Sequence, residues 1–148
     1  MSYVTENTKW MSDQITGDTK DLIARFYELA DSKQSDVGQI MATEIFSEDA
    51  LLFSPSGTFK GSTEISKSRE NSWGKVTARK HTLSKVFAGH GDTEELVLFG
   101  SVRMNFSEAE SKDAAFVAHV KLGSSGSSAA QPRISSMEVY PITRPSSA

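Results

Sequence analysis

Apolar positions along this chain change their spacing once, and the change separates a helical first half from a stranded second half. Residues 1–17 read as a polar arm interrupted by Tyr3, Val4, Trp10, Met11 and Ile15. Leu22, Ile23, Phe26, Tyr27, Leu29 and Ala30 then fall three and four apart, the stripe of a helix that Asp18 or Thr19 can cap. "DSKQSD" ends it. Asp36 with Gln39 reads as a variant of the capping box, opening a second, shorter helix with Val37, Ile40, Met41, Ile45 and Phe46 on its apolar face. "ALLF" is bounded by turn residues and reads as a strand, Pro55 and Gly57 turn the chain, and "TFK" returns it to Gly61. A third helix is expected from Ser62 or Thr63 to Trp73, with Ile65 and Trp73 on one face and Gly74 as its stop.

After residue 77 the period falls to two. "ARKHTLSKVFA", "EELVLFGSVRMNF", "KDAAFVAHVKL" and "PRISSMEVYP" read as four strands, and the short links between them favour an antiparallel meander. The last link, "GSSGSSAAQ", is expected to be a flexible loop. In the second of these strands Leu96, Leu98, Val102 and Met104 share one face, while Val97, Phe99, Ser101, Arg103 and Asn105 share the other. Apolar residues on both faces imply that both are covered. The helices cover one. A second copy of the chain covers the other, so a homodimer is expected, with the N-terminal arm as the alternative cover. Helices first and strands later give an α+β domain over residues 18–141, preceded by the arm and followed by a tail at 142–148.

Composition narrows the function classes. With 148 residues, 37% hydrophobic and 24% charged, the chain suits one domain with a real core. A net charge of −3 without basic clusters speaks against nucleic acid. No apolar run is long enough for a bilayer, so no membrane partner is expected. "MSYVTENTKWMSDQ" lacks the apolar segment of a secretory leader, and a cytoplasmic protein is the expectation. The chain has no cysteine, which removes thiolate catalysis and sulfur-ligated zinc. His81, His90 and His119 lack ligand spacing on any one element, and there is neither a phosphate-binding glycine loop nor a G-x-S-x-G elbow. Neither metal nor cofactor is expected.

The stretch "FSEDALLFSPSGTFKGSTEI", followed by four strands closing on "ISSMEVYP", resembles the NTF2-like superfamily, in particular its SnoaL-like and ketosteroid-isomerase-like branches. The resemblance spans residues 18–141. It implies a cone: three N-terminal helices packed on a curved, mainly antiparallel sheet that encloses a pocket. Phe53 and Phe59 would wall its mouth, with the Pro55–Gly57 turn as its lip. The position of the isomerase branch's aspartate base reads Ser54, which is no equivalent base near neutral pH. The tyrosine of its oxyanion hole falls at Phe26, with Tyr27 one position along and turned about 100° around the helix. The hole's aspartic acid falls at Ala118. The Arg-x-Asp pair and last-strand aspartate of the related epoxide-hydrolase branch read Arg103-x-Asn105 and Val139.

The residues that remain for chemistry are few. The resemblance places a polar or histidine side chain facing the cavity at His81, an imidazole able to move a proton near neutral pH. The alternative is a strand-end histidine facing water. Arg103 and Asn105 share a face. If that face is the cavity, Arg103 is a buried cation needing a substrate carboxylate, enolate or phenolate, or an internal acid such as Glu44, Asp49 or Glu64. Phe26, Tyr27, Trp73, Phe99, Phe116 and Met137 join Phe53 and Phe59 as candidate ligand-binding residues. His119 and Glu138 fall on the opposite face by parity, and His90 falls in a turn. The resulting expectation is a cofactor-free acid–base enzyme of isomerase, cyclase or dehydratase type. His81 would be aided by Arg103 and Asn105 on a hydrophobic, carbonyl-bearing small molecule. The alternatives are a non-catalytic binder of an apolar ligand and a protein-interaction scaffold of the nuclear-transport kind.

Overall fold

The computed structural model describes residues 2–89, 92–123 and 131–143. His90, most of the serine- and glycine-rich link and most of the C-terminal tail lie outside the described residues. The elements follow one another as β1 (Lys9–Trp10), α1 (Gly17–Ala30), α2 (Val37–Ile40), a π-helical turn (Met41–Ile45), β2 (Phe46–Ser54), β3 (Gly57–Lys60), α3 (Gly61–Ser66), β4 (Val76–Gly89), β5 (Asp92–Phe106), β6 (Lys112–Gly123) and β7 (Arg133–Ile142). All seven strands join one sheet in the order β1-β4-β5-β6-β7-β2-β3. β4 to β7 form the expected antiparallel meander. β2 runs parallel to β7, and β1 parallel to β4.

Among the described residues only α1 is a full helix. Its N-cap is Thr16, whose hydroxyl accepts from the Thr19 N–H, two to three residues earlier than the expected cap. The second helix is a single α-helical turn continued by the π turn. Asp36 makes no side-chain cap bond there, and Phe46 already belongs to β2. The third helix ends at Ser66, well short of Trp73. Ile65 is its one fully buried anchor. The hydroxyls of Ser66 and Ser68 turn back onto the carbonyls of Thr63 and Ile65, at 2.7 Å each, and compete with helix propagation.

The even-numbered face of β5 looks inward. Leu96 and Leu98 are buried against Ile23, Met41, Ile45, Ile65 and Met137 in one core. Burial of each such side chain contributes about 1.5–3 kcal/mol. The ladder between β4 and β5 slips between Leu83 and Lys85, and that between β6 and β7 slips between Lys121 and Leu122. Bulges of this kind bend a sheet. Gly100 serves the same bend. A Cβ there would lie 2.7 Å from the Thr82 carbonyl oxygen and 2.8 Å from the Phe116 ring, so only glycine lets that ring lie over β5.

The arm is a strap along the edge of β4. The Leu83 N–H donates to the Val4 carbonyl and the Met11 N–H to the Val86 carbonyl, each at 2.9 Å, and the Thr8 hydroxyl donates to the Leu83 carbonyl at 2.8 Å. Val4 and Ile15 are buried in the core. Among the described residues no helix is long and apolar enough to cross a membrane.

Candidate active site

Between α1, the β2–β3 hairpin and the concave face of the sheet lies a cavity of about 380 Å³. Tyr27 and Asp31 bring helix chemistry to it. They are four residues apart at the C-terminal end of α1, and the Asp31 N–H closes the last turn on the Tyr27 carbonyl at 3.0 Å. Both therefore face the same way. His81 comes from β4, where it pairs with the inward-facing Val102 of β5.

Asp31 and His81 meet as a dyad. His81 Nδ1 lies 2.6 Å from Asp31 Oδ1, with side-chain exposures of 15% and 5%. The second carboxylate oxygen accepts from the His81 backbone N–H at 2.8 Å and from the Tyr3 hydroxyl at 2.7 Å. A carboxylate only accepts, so the proton between them sits on Nδ1, and in the neutral ring Nε2 is the acceptor. An acid at a helix C-terminus opposes the helix dipole, and an acid this deep must be paired. Asp31 violates the first rule and obeys the second through three donors.

Two rings, those of Tyr27 and Phe116, pack around the dyad. Tyr27 lies 4.9 Å from His81 and 5.6 Å from Phe116, centroid to centroid, and His81 lies 5.6 Å from Phe116. Tyr27 lines the cavity, and its hydroxyl is buried without a partner among the described residues. Burial, followed by the charge of Asp31, pushes its pKa upward, so it stays a donor. The Tyr3 hydroxyl is pushed up as well, by burial and by its bond to Asp31.

Two arginines complete the wall. Arg69, just beyond α3, donates from Nη2 to the Ala30 carbonyl at 2.8 Å, and its Nε is buried without a partner. Arg79, two residues before His81 on β4, donates from Nη2 to the Ser72 carbonyl at 2.8 Å. Its guanidinium stacks 4.7 Å from the Trp73 ring centre. Burial and the neighbouring Arg79 lower the pKa of Arg69 to about 10 against the pull of Asp31, so it remains a cation at neutral pH. Burial lowers that of Arg79 too.

The remaining sequence-derived candidates are scattered. Phe26, Tyr27, His81 and Phe116 line the cavity. Arg103 does not: it lies on the outer face, half exposed, with its guanidinium on Asp113 at 3.1 Å and on Ser111 at 2.8 Å. Its partner is none of the three acids named from sequence. Asn105 is exposed on the same face. Phe53 and Phe99 are exposed and do not line the cavity, whereas Ser54, Pro55 and Ser56 of the hairpin do. Phe59 packs partly buried against the core, Met137 is fully buried within it, and Trp73 sits behind Arg79. His119 and Glu138 lie on the outer face with Glu95, whose carboxylate is 2.6 Å from His119 Nε2. Among the described residues no group of three or more ligating side chains could hold a metal ion.

No family model and no curated protein matches the chain. Solved structures do. Nuclear transport factor 2 from Cryptosporidium parvum superposes with a TM-score of 0.64 at 13% identity, over 88% of this chain and 97% of that one. This is the NTF2-like fold. The hexachlorocyclohexane dehydrochlorinase LinA-type3 from Novosphingobium barchaimii shares it, with a TM-score of 0.62 and 16% identity over 82% of each chain. So does a protein assigned as a scytalone dehydratase from Novosphingobium aromaticivorans, with a TM-score of 0.63 and 11% identity over 84% of this chain and 81% of that one. The NTF2-like fold hosts unrelated functions, so any reading of activity rests on the cavity.

Proposed function

We propose that the protein is an acid–base enzyme that removes a proton from carbon next to a carbonyl group in a small, largely apolar molecule, and that elimination is the outcome. The observation that carries this is the pairing of the cavity-lining His81 with the buried Asp31, beside the buried hydroxyl of Tyr27. His81 Nε2 takes the proton. The C–H electron pair becomes the new double bond, and the β-substituent leaves with its own pair. The imidazolium is stabilised by Asp31 and, where the leaving group is hydroxide, returns the proton to form water. Tyr27 donates to the carbonyl oxygen while negative charge builds there. Only side chains of this chain take part. Two NTF2-like neighbours named for eliminations, the dehydrochlorinase and the protein assigned as a dehydratase, support this outcome over isomerisation or cyclisation.

Proton abstraction can be followed without knowing the natural substrate. A panel of hydrophobic ketones and β-hydroxy ketones in deuterated water reports loss of the α-C–H signal by NMR. The wild type is expected to accelerate this loss for at least one compound, and His81→Ala to slow it by about 10²–10⁴-fold. An unchanged rate in His81→Ala, or no exchange in any compound that binds, refutes the assignment.

A second reading concerns the outer face of the sheet. Phe53, Phe87, Phe99, Tyr140 and Ile142 are exposed there. Phe87 and Phe99 lie edge to face at 5.8 Å, and the register sets Phe99 beside Val117 and Val117 beside Tyr140. Such a contiguous apolar face favours a second copy of the chain as its cover.

A further inference from the structure

The arginines at 69 and 79 are not used by the proton transfer just described, yet they are the most heavily charged part of its wall. Both line the cavity. Neither forms an ion pair among the described residues. Asp31 is the acid that acts on both electrostatically, and it is already committed to three donors. Two guanidiniums face one carboxylate, which leaves this end of the cavity with an excess of positive charge. Both guanidiniums are part-buried, and a cation partly withdrawn from water gains from a partner.

Their orientation is fixed in advance. Each guanidinium has Nη2 tied to a backbone carbonyl, Ala30 for Arg69 and Ser72 for Arg79, and Arg79 is also stacked on Trp73. The Nη N–H groups that these bonds do not use are left to donate. Planar forks held in this way suit a carboxylate, which can accept two parallel bonds from one of them. The hydroxyl-bearing residues Ser68 and Ser72 line the same end of the cavity.

We propose that Arg69 and Arg79 form a carboxylate subsite, and that the ligand of this cavity is an apolar molecule carrying a single carboxylate. The substrate class rests on the acid–base reading above, but the subsite does not. Arg79 and His81 alternate on one strand face, so their Cα atoms are about 7 Å apart. The carboxylate therefore sits roughly one ring's breadth from the C–H bond that His81 addresses. The charge anchors the molecule, and the dyad reaches its far side.

The test compares 2-naphthoate with 2-naphthamide, two probes of the same shape that differ in charge, by calorimetric titration of the full chain at neutral pH. Naphthoate is expected to bind more tightly by about tenfold or more. Arg79→Met and Arg69→Met keep the aliphatic stems and are each expected to remove most of that preference while leaving naphthamide within about threefold. Arg79→Lys is expected to restore part of it. Should Arg69→Met fail to fold for want of its bond to Ala30, Arg79→Met, whose site is less buried, decides alone. His81→Asn is expected to abolish proton abstraction and keep the naphthoate preference, so the subsite and the catalytic reading can fail separately. Naphthoate binding no tighter than naphthamide, including no binding of either, overturns the proposal. So does a preference that survives Arg79→Met.

Discussion

Replacing Asp31 by alanine is expected to cost far more stability than an ordinary loss of a charged side chain, and the structure sets the amount. The carboxylate is 5% exposed and accepts from three donors: Tyr3 Oη at 2.7 Å, His81 N at 2.8 Å and His81 Nδ1 at 2.6 Å. Hydrogen bonds to a charged acceptor contribute about 1.5–3 kcal/mol each, and a buried donor left without one costs about 1–3 kcal/mol. Part of this is returned, because the carboxylate no longer has to be desolvated and the half-buried Tyr3 hydroxyl regains water. A net loss of about 3 kcal/mol remains. For a chain of this size that lowers the melting temperature by roughly 6–12 °C. Asp113→Ala is the control. It removes the exposed partner of Arg103, 64% exposed at its side chain, and is expected to change stability by no more than about 0.5 kcal/mol. Asp31→Asn keeps one acceptor oxygen and should fall between the two. Scanning calorimetry on the three variants measures all of this, and imidazole ¹⁵N NMR adds a local readout, since the Nδ1-protonated form should lose its dominance in Asp31→Ala. Equal melting temperatures for Asp31→Ala and Asp113→Ala would refute the reasoning.

Two further outcomes follow from other parts of the molecule. Burial raises the pKa of Tyr3 and Tyr27, so the folded state prefers their neutral forms; the stability this gives is full below about pH 10 and is lost as pH climbs above it, because the unfolded chain can ionise them. Tyrosinate absorbance from these two should therefore appear together with the loss of near-ultraviolet dichroism, and a reversible titration with dichroism intact would contradict it. For the outer face, sedimentation should show a dimer in the wild type and a monomer in Phe99→Glu, whereas a monomeric wild type would remove the second copy from the picture.

The fold was legible because its signals are periodic. Alternation in β5 separates Leu96 and Leu98, which the structure buries, from Val97 and Phe99, and the Pro55–Gly57 turn marks the hairpin at the lip. The helices read less well, since a single apolar anchor at Ile65 cannot extend α3 to Trp73. Within the site, His81 was accessible from its place on β4, but its partner was not. Asp31 looked like part of a helix stop, and nothing in the local pattern shows that the chain ends of α1 and β4 meet. Arg79 shares His81's parity, two residues earlier, and that signal was available though unused. Arg69 had no such signal, because it lies in turns read as helix. Arg103 and Asn105 were misplaced by one question of parity: which face of β5 looks inward.

The strap ties residues 2–11 to the Asp31–His81 pair, since Tyr3 holds the oxygen of Asp31 that His81 Nδ1 leaves free. Peeling of a few residues from the sheet edge would thus loosen the imidazole's anchor while the cone stayed closed. On the proposed acid–base reading, turnover would then fade under mild heat or denaturant before any global melting signal moved, making residues 2–11 a built-in tether whose slackening is read first in chemistry.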